Sequence, residues 1–459
     1  MKLKYTLLVA SMGAILAGCS TLTPDIPQAT SNIPSKWTSE ENKISDNNVI
    51  EVSQWKKLIK DETLFSLIEK SIENNRDIQV ALLNVEKIKT QYQIQDSNRN
   101  ASVTGTLSAN RERIGDNPIS ESWQAVGAVS YEIDLFSKAE NLSKTAWQNY
   151  LAESYNYEVA EIALISEVSS TYLDLIANKE WLKISKETLA SRLSSYALSE
   201  KRKELGQVSA LTLAQERGLV ETAKSDVASY EGTVKQLEQN LRLLVGESID
   251  SYTFNSQWKD ILEDHTNLVS NLSSDVLLSR PDIKASEARL VASNANIGVA
   301  RASRFPSLSL TGQVGTISSE FSSLMGSNTG LWGISPSLNI PIFNAGRLKA
   351  QEQVAKIEQE QALASYEKAI QIGFQEVAVL LIENEKLNKQ LQAQEEAVKA
   401  AKEAHNFSKI RYNAGRDDYL SLLDSERTLY ATQIRKISLE LAQQKVFISL
   451  YKALGGISN

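Results

Sequence analysis

Groups able to do acid–base, nucleophilic or metal chemistry are sparse in this sequence and poorly spaced for it. The only two histidines, His265 and His405, stand far apart with no ligand pattern around either. Zinc sites draw ligands from closely spaced pairs, and general acid–base work most often uses histidine. Acidic residues are plentiful, yet no nucleophile–base pair, phosphate loop or ligand cluster stands among them. The sequence therefore argues against an enzyme and calls for no cofactor and no metal. Two patterns carry chemistry of another kind. Cys19 is the single cysteine and follows Lys2, Lys4 and an apolar run from Leu7 to Ile15. Leu420, Asp424 and Arg427 are spaced by four and then three residues, so on a helix they share one face. Repeated around a symmetry axis, a leucine would make a dry constriction and an aspartate a ring that favours cations.

The elements that must position these residues are long. Ser137 to Leu205 contains neither glycine nor proline, and Gly206 ends the run. A second run follows Gly346 and reaches Ala414, broken only by Gly373, before Gly415. Each is long enough for a helix of about 100 Å, against about 11 residues for an ordinary helix. Ala, Leu, Glu, Lys and Gln dominate both, as helix propensity favours. The net charge of −7 argues against a nucleic-acid partner. No stretch offers the roughly 20 apolar residues of a spanning helix, and the start of the chain reads as a secretory signal rather than an anchor.

In chain order, residues 20–60 form an extended leader with Pro24, Pro27 and Pro34. A helical pattern runs from Glu62 to Asn98. From Trp123 the period changes to two, with Trp123, Ala125, Val129, Tyr131, Ile133 and Leu135 alternating with polar residues, a strand with one apolar face. Val103–Ala109 alternates more weakly, and Gly115–Pro118 supplies turn chemistry for a hairpin over 100–136. The long helix 137–205 and a returning helix to Val245 complete the first half. Residues 246–275 read as a polar joint.

The second half repeats the first. A helix opens at Pro281, a hairpin spans 307–343, and a long helix 345–414 is followed by another to residue 455. Within that hairpin Trp332, Ile334, Pro336, Leu338, Ile340 and Ile342 face one way. Phe343 answers Phe136 at an offset of 207, and Gly415, Arg411 and Leu420 answer Gly206, Arg202 and Leu211 at 209. Residues 62–245 and 276–455 are thus tandem copies, with 456–459 as a tail. Each half contributes two strands, and four alternating strands cannot close on themselves. Lipid forbids open strand edges, so several copies must share one barrel, and three copies give an even 12 strands. Trp123, Phe136, Trp332 and Phe343 sit near strand ends, where membrane-interface aromatics belong. The alternative is a soluble hairpin covering a local core.

Two resemblances sharpen the reading. Leu16-Ala17-Gly18-Cys19 resembles the lipobox of bacterial lipoproteins, which implies cleavage after residue 18, lipidation of Cys19 and, with Ser20 next, export to the outer membrane. The whole mature chain resembles the outer membrane factor family of the TolC and OprM type. The motifs that carry this are Arg280-Pro281-Asp282-Ile283, Ala295 to Arg301, Phe305-Pro306-Ser307, Pro341 to Arg347, Arg411 to Gly415, Leu423-Asp424 and Leu450 to Gly456. The resemblance implies a homotrimer in the outer membrane of a Gram-negative bacterium. Its 12-stranded barrel, four strands per chain, would continue into a long periplasmic α-helical barrel, girdled by an equatorial part from 19–61, 246–275 and the tail. A periplasmic adaptor and an inner-membrane pump, of the resistance–nodulation–division type, would be its partners. Gly206 and Gly415 would receive the adaptor, and Leu420, Asp424, Arg427 and Tyr412 would form the periplasmic gate. The gate departs from TolC in Asp417 and Ser421, and the first-half tip has Gln215 and Gly218 opposite Asp424 and Arg427.

The function expected is a passive exit duct for a tripartite efflux system. Type I protein secretion or metal efflux through the same architecture, and a periplasmic coiled-coil scaffold, are the competing readings.

Overall fold

A computed structural model of the chain describes residues 22–30, 33–37, 55–254, 261–262, 273–417 and 419–456. Cys19, the signal segment, His265 and much of the leader and joint lie outside the described residues. The elements are α1 (Trp55–Leu58), α2 (Glu62–Asn74), α3 (Arg76–Ser97), β1 (Ser102–Glu112), β2 (Ser120–Ile133), α4 (Lys138–Glu204) and α5 (Ala210–Val245). After a 3₁₀ turn at Ser274–Ser279 come α6 (Pro281–Ala302), β3 (Ser307–Ser318), β4 (Gly330–Asn339), α7 (Arg347–Asn413) and α8 (Tyr419–Ala453). Among the described residues no helix is long and apolar enough to cross a membrane, which says nothing of a β-barrel.

The duplication holds element by element. Helices α4 and α7 each have 67 residues, and both their ends are 209 positions apart. The drift from 207 to 209 is spent at one corner. Phe136 is followed by Ser137 alone before α4, and Phe343 by Asn344, Ala345 and Gly346 before α7. Both corners use left-handed backbone, at Ser137 (φ 56°) and at Ala345 and Gly346 (φ 50° and 84°). The long helices therefore begin at Lys138 and Arg347, a residue or two later than the sequence pattern places them.

Two further boundaries differ. The single helix expected over 62–98 is two, because Asn75 takes extended backbone (φ −65°, ψ 130°). Its side chain then caps α3, accepting from the N–H groups of Asp77 (2.9 Å) and Ile78 (3.2 Å). Strand β4 stops at Asn339, short of Ile340 and Ile342, since Pro341 has no N–H to give a ladder.

The chain divides into two compact units. The first takes the chain up to Thr30, Leu83–Tyr155 and Lys284–Ala369. It holds one antiparallel sheet in the order β1-β2-β3-β4. Register pairs Val103 with Val129, Gly127 with Val314, and Val314 with Trp332. Since directly paired residues share a face, Val103, Leu107, Trp123, Val129, Tyr131, Leu308, Leu310, Val314, Trp332, Ile334 and Leu338 form one continuous apolar face. Ser108, Gln124, Ser130 and Thr311 lie on the other, where Gln124 donates to Ser108 at 2.8 Å. The apolar face is bare: Val103, Val314 and Trp332 are 76%, 67% and 79% exposed. In the same unit Ser143 of α4 donates to Asp96 of α3 (2.7 Å), and Glu352 of α7 receives Arg301, Arg304 and Lys356. The leader is pinned there too: Asn294 donates to the Pro24 carbonyl and Arg301 to that of Leu22, both at 2.9 Å.

The second unit takes Ser31–Leu82, Asn156–Ile283 and Ile370–Asn459. Its core joins Leu64, Leu67 and Ile68 of α2 to Val168, Tyr172 and Leu175 of α4, Leu241 of α5 and Phe447 and Tyr451 of α8. A repeated clasp closes each half. Asn75 Nδ2 donates to the Leu244 carbonyl at 2.9 Å, and Arg280 Nη1 donates to that of Ala453, its repeat-equivalent, at 2.6 Å. Arg280 also reaches Glu376 of α7 (2.9 Å), beside Gly373, where a Cβ would stand 3.2 Å from the guanidinium. The glycine that interrupts the second long run thus makes room for a buried arginine.

Candidate periplasmic gate and docking tip

The ends of α4 and α7 are built alike. Gly206 (φ 73°) donates to the Lys203 carbonyl and Gln207 to that of Arg202, both at 2.9 Å. Gly415 (φ 66°) donates to Tyr412 at 3.0 Å and Arg416 to Arg411 at 2.9 Å. Both are Schellman caps, in which a left-handed residue lets two backbone donors turn back onto the last helical carbonyls. A Cβ at either glycine would meet nothing within 4 Å, so φ and not space calls for glycine. Beyond each cap stands an exposed leucine, Leu211 (68%) and its repeat-equivalent Leu420 (61%).

Leu420, Asp424 and Arg427 are all exposed and follow one another along one side of α8. Leu422 and Leu423 are buried on its other side. Tyr412, the fourth residue expected at the gate, is held within the chain. Its hydroxyl accepts from Arg202 Nη1 at 3.0 Å and its ring meets Tyr419 edge-on at 5.6 Å. The reason is proximity: the ends of α4 and α7 meet there, with the guanidinium 5.4 Å from the ring. The repeat partner of Arg202, Arg411, instead grips Asp417 in a bidentate pair at 2.6 and 2.8 Å. That pairing holds the Asp417 carboxyl below its usual range.

Behind the tip lies a buried polar seam that sequence reasoning missed. On α4, Thr171, Asn178, Ser185, Arg192 and Ser199 recur every seven residues, and all are buried. A strict seven-residue repeat keeps one stripe against neighbouring helices, as in a coiled coil. Here the stripe is polar and its partners are specific. Ser185 bonds the Tyr430 hydroxyl (2.9 Å), and Ser199 donates to Glu216 (2.7 Å). Arg192 donates to the Leu219 carbonyl (3.1 Å) and faces Glu426 at 3.8 Å. Burial pushes the Glu216 and Glu426 carboxyls above their ordinary range, against the pull of Arg202 on the first and of Arg192 and Lys409 on the second. Burial, with those two carboxylates nearby, also raises the Tyr419 phenol. The signal available in the sequence was the heptad of polar residues, invisible to a search for apolar periodicity.

Of the sheet aromatics, Trp123 packs edge-on against Phe321 at 5.0 Å and Phe136 stacks on Phe305 at 4.6 Å. Trp332 and Phe343 are 79% and 88% exposed.

The model of the outer membrane efflux protein family matches residues 67–247 and 272–456. Cation efflux system protein CusC of Escherichia coli O157:H7 is 36% identical over 451 residues, 96% of each chain. Probable outer membrane lipoprotein SilC of Salmonella typhimurium is 34% identical over 459 residues, 99% of each. Toluene efflux pump outer membrane protein TtgC of Pseudomonas putida is 35% identical over 464 residues, 99% of this chain and 96% of its own. A crystal structure of CusC, from work on its folding and transmembrane channel formation, superposes with a TM-score of 0.87 at 34% identity, covering 95% of this chain and all of the other.

Proposed function

The chain belongs to the outer membrane efflux protein family, and on that premise we propose that Leu420, Asp424 and Arg427 gate the duct it forms. It is the outer-membrane exit duct of a tripartite efflux system. It works as a homotrimer whose chains contribute four strands each to one barrel and long helices to the periplasmic part. A periplasmic adaptor and an inner-membrane pump complete the system, and the pump supplies cargo and energy. The protein resides in the outer membrane of a Gram-negative bacterium.

One observation carries the duct: a four-stranded sheet with a bare, continuous apolar face whose outer strands, β1 and β4, each pair on one side only among the described residues. In lipid such edges must be closed by strands of other copies. For the gate, the exposed row on α8 becomes three rings under threefold symmetry, a leucine constriction next to an acidic one. The Schellman glycines leave Cβ-free grooves at the tip for adaptor contacts. Cys19, just ahead of the pinned leader, takes the lipid anchor.

Relatives named for cation efflux and for toluene efflux are almost equally similar, at 36% and 35% identity. The pump therefore sets the cargo, and metal efflux stands beside organic efflux as a second reading. Planar-bilayer conductance of the purified trimer tests the gate. Leu420→Ser and Asp424→Ala should each raise conductance, and Asp424→Ala should also lower cation selectivity. Conductance indifferent to both would keep the duct and remove these residues from the gate.

A further inference from the structure

The foot of the second hairpin carries a charge cluster that export as described above does not use. The chain as a whole has a net charge of −7, yet from Arg301 to Lys356 it has five cations and only two acids, Glu320 and Glu352. Glu320 lies in the turn at the far end of the hairpin, a strand length of about 40 Å away. Glu352 is therefore shared. Its carboxylate, 11% exposed, accepts from Lys356 at 2.9 Å, from Arg301 Nε at 3.3 Å and from Arg304 Nη1.

One acid among three cations leaves two positive charges in excess. No second carboxylate pairs with any of the three among the described residues. At the foot of the first hairpin, Asp96 is held by Ser143 and Arg99, Asp134 accepts from the N–H of Glu140, and Glu140 is exposed between Lys138 and Lys144. Glu360, one turn beyond Lys356, is exposed, so water screens it. Asp25 of the leader is also exposed and follows Pro24, which is held at Asn294, two turns before Arg301. Donors remain at the cluster: Arg304 and Lys356 are 48% and 39% exposed. Among the described residues no hydrogen bond takes Nη2 of Arg301, or Nε and Nη2 of Arg304. Guanidinium groups of this kind match phosphate oxygens.

Position selects the ligand. Strand β3 begins at Ser307, three residues after Arg304. Its 12 residues, tilted about 40°, cover roughly 30 Å, the hydrocarbon thickness of a bilayer. Arg304 thus falls at headgroup level, at the end from which the helices run into the periplasm. Phe305 beside it stacks on Phe136. Ser307 pairs with Asn339, so Ile342 and Phe343 follow at the same foot, both almost fully exposed, an apolar flank for acyl chains. Arg301 donates to the carbonyl of Leu22, three residues after Cys19 and so within about 11 Å of chain from it. The lipid anchor and the cluster therefore meet the same leaflet.

We propose that Arg301, Arg304 and Lys356 hold the phosphate of an anionic phospholipid, phosphatidylglycerol, in the inner leaflet of the outer membrane. The site presupposes the trimeric outer-membrane duct, and its test separates the two.

The full-length trimer in detergent would be titrated with phosphatidylglycerol and, separately, phosphatidylethanolamine of the same acyl chains, and bound lipid counted by native mass spectrometry. The anionic lipid should saturate at one per chain, bind about tenfold more tightly than the zwitterionic one, and resist release by excess inorganic phosphate. Arg304→Gln with Lys356→Gln leaves Arg301 on Glu352, so no buried acid is stranded. That pair should weaken phosphatidylglycerol about 25-fold, a factor of about five per cation. Arg304→Lys with Lys356→Arg keeps both charges and should keep the binding. Lys386→Gln with Lys389→Gln removes two exposed lysines further along α7 and should change nothing. A trimer that binds both lipids alike, yields phosphatidylglycerol to phosphate, binds it undiminished with the Arg304 and Lys356 glutamines, or loses it equally with those at Lys386 and Lys389 overturns the site and leaves the duct standing. A monomeric mass would remove the duct and the site with it.

Discussion

Arg202 donates to the hydroxyl of Tyr412 at 3.0 Å, tying the last turn of α4 to the last turn of α7. The two residues sit four and three positions before the glycines where the chain reverses, so the bond joins the two halves of the duplication at the tip. Tyr412→Phe removes only the hydroxyl and keeps the ring against Tyr419. It should cost about 1 kcal/mol, the net worth of one hydrogen bond. Arg202→Met removes the cation as well and should loosen the tip further. Conductance should therefore rise in the order wild type, Tyr412→Phe, Arg202→Met; the reverse order would place the tie outside the closed state.

The glycine caps separate folding from docking. Gly415→Val forces a β-branched residue into left-handed backbone and should cost about 1–2 kcal/mol or more. Gly415→Asn suits that backbone far better yet adds a side chain to the tip. If adaptor contact needs the bare groove, trimers carrying Gly415→Asn would fold with unchanged thermal stability and lose pump-dependent export. Export at the wild-type level in that variant would leave the glycine a purely structural role.

Buried carboxyls give the tip a pH dependence of known sign. Burial raises Glu216 and Glu426 in the folded state above an unfolded value near 4.5. A raised acid binds its proton more tightly when folded, so its stabilisation is full below 4.5 and is lost as pH rises through the folded value. Arg192, Arg202 and Lys409 face these groups and limit the rise. Glu216→Gln should thus stabilise the tip near neutral pH and flatten the profile, read by hydrogen exchange at Leu213–Val220 across pH 4–8. Greater loss of protection at neutral pH in the variant would contradict this. Glu352 in the other unit behaves oppositely. Lys356 first, then Arg304 and Arg301, hold its carboxyl down at about 2, so its contribution is present above 4.5 and lost only as pH falls toward 2.

The clasps predict an asymmetry between the halves. Arg280→Met strands Glu376 and the Ala453 carbonyl around a buried site and should cost about 3 kcal/mol. Asn75→Ala loses a helix cap and one hydrogen bond, about 1–2 kcal/mol. Thermal unfolding of the two variants in detergent should show the larger drop for Arg280→Met. Equal drops would mean that Arg280 does no more than Asn75.

The sheet was readable in the sequence because a period of two is unambiguous over segments such as Leu308–Val314 and Trp332–Leu338. The duplication was readable because α4 and α7 kept every one of their 67 positions. Local breaks without glycine or proline were not. Asn75 splits a helix through its side-chain cap, and Ser137 takes a left-handed corner that nothing in its type announces. The tip pairings were opaque for a different reason. Arg202 and Arg411 are repeat-equivalent, yet one reaches across to Tyr412 of α7 and the other pairs with Asp417 in the turn after its own helix, where the first half has Val208. The polar seam of Ser185, Arg192 and Ser199 stays hidden because apolar periodicity says nothing of a stripe made of polar residues.

The shared barrel is the claim on which the rest depends, and disulfide trapping across its open edges tests it most directly. Single cysteines would be placed on the polar face of β1, at Thr104, Thr106 or Ser108, and of β4, at Gly333, Ser335 or Ser337, and the pairs oxidised in intact membranes. At least one register should yield covalently linked dimers and trimers, with each single variant remaining uncrosslinked. Links confined to one chain in every register, or none at all beside a monomeric mass by light scattering, would contradict it.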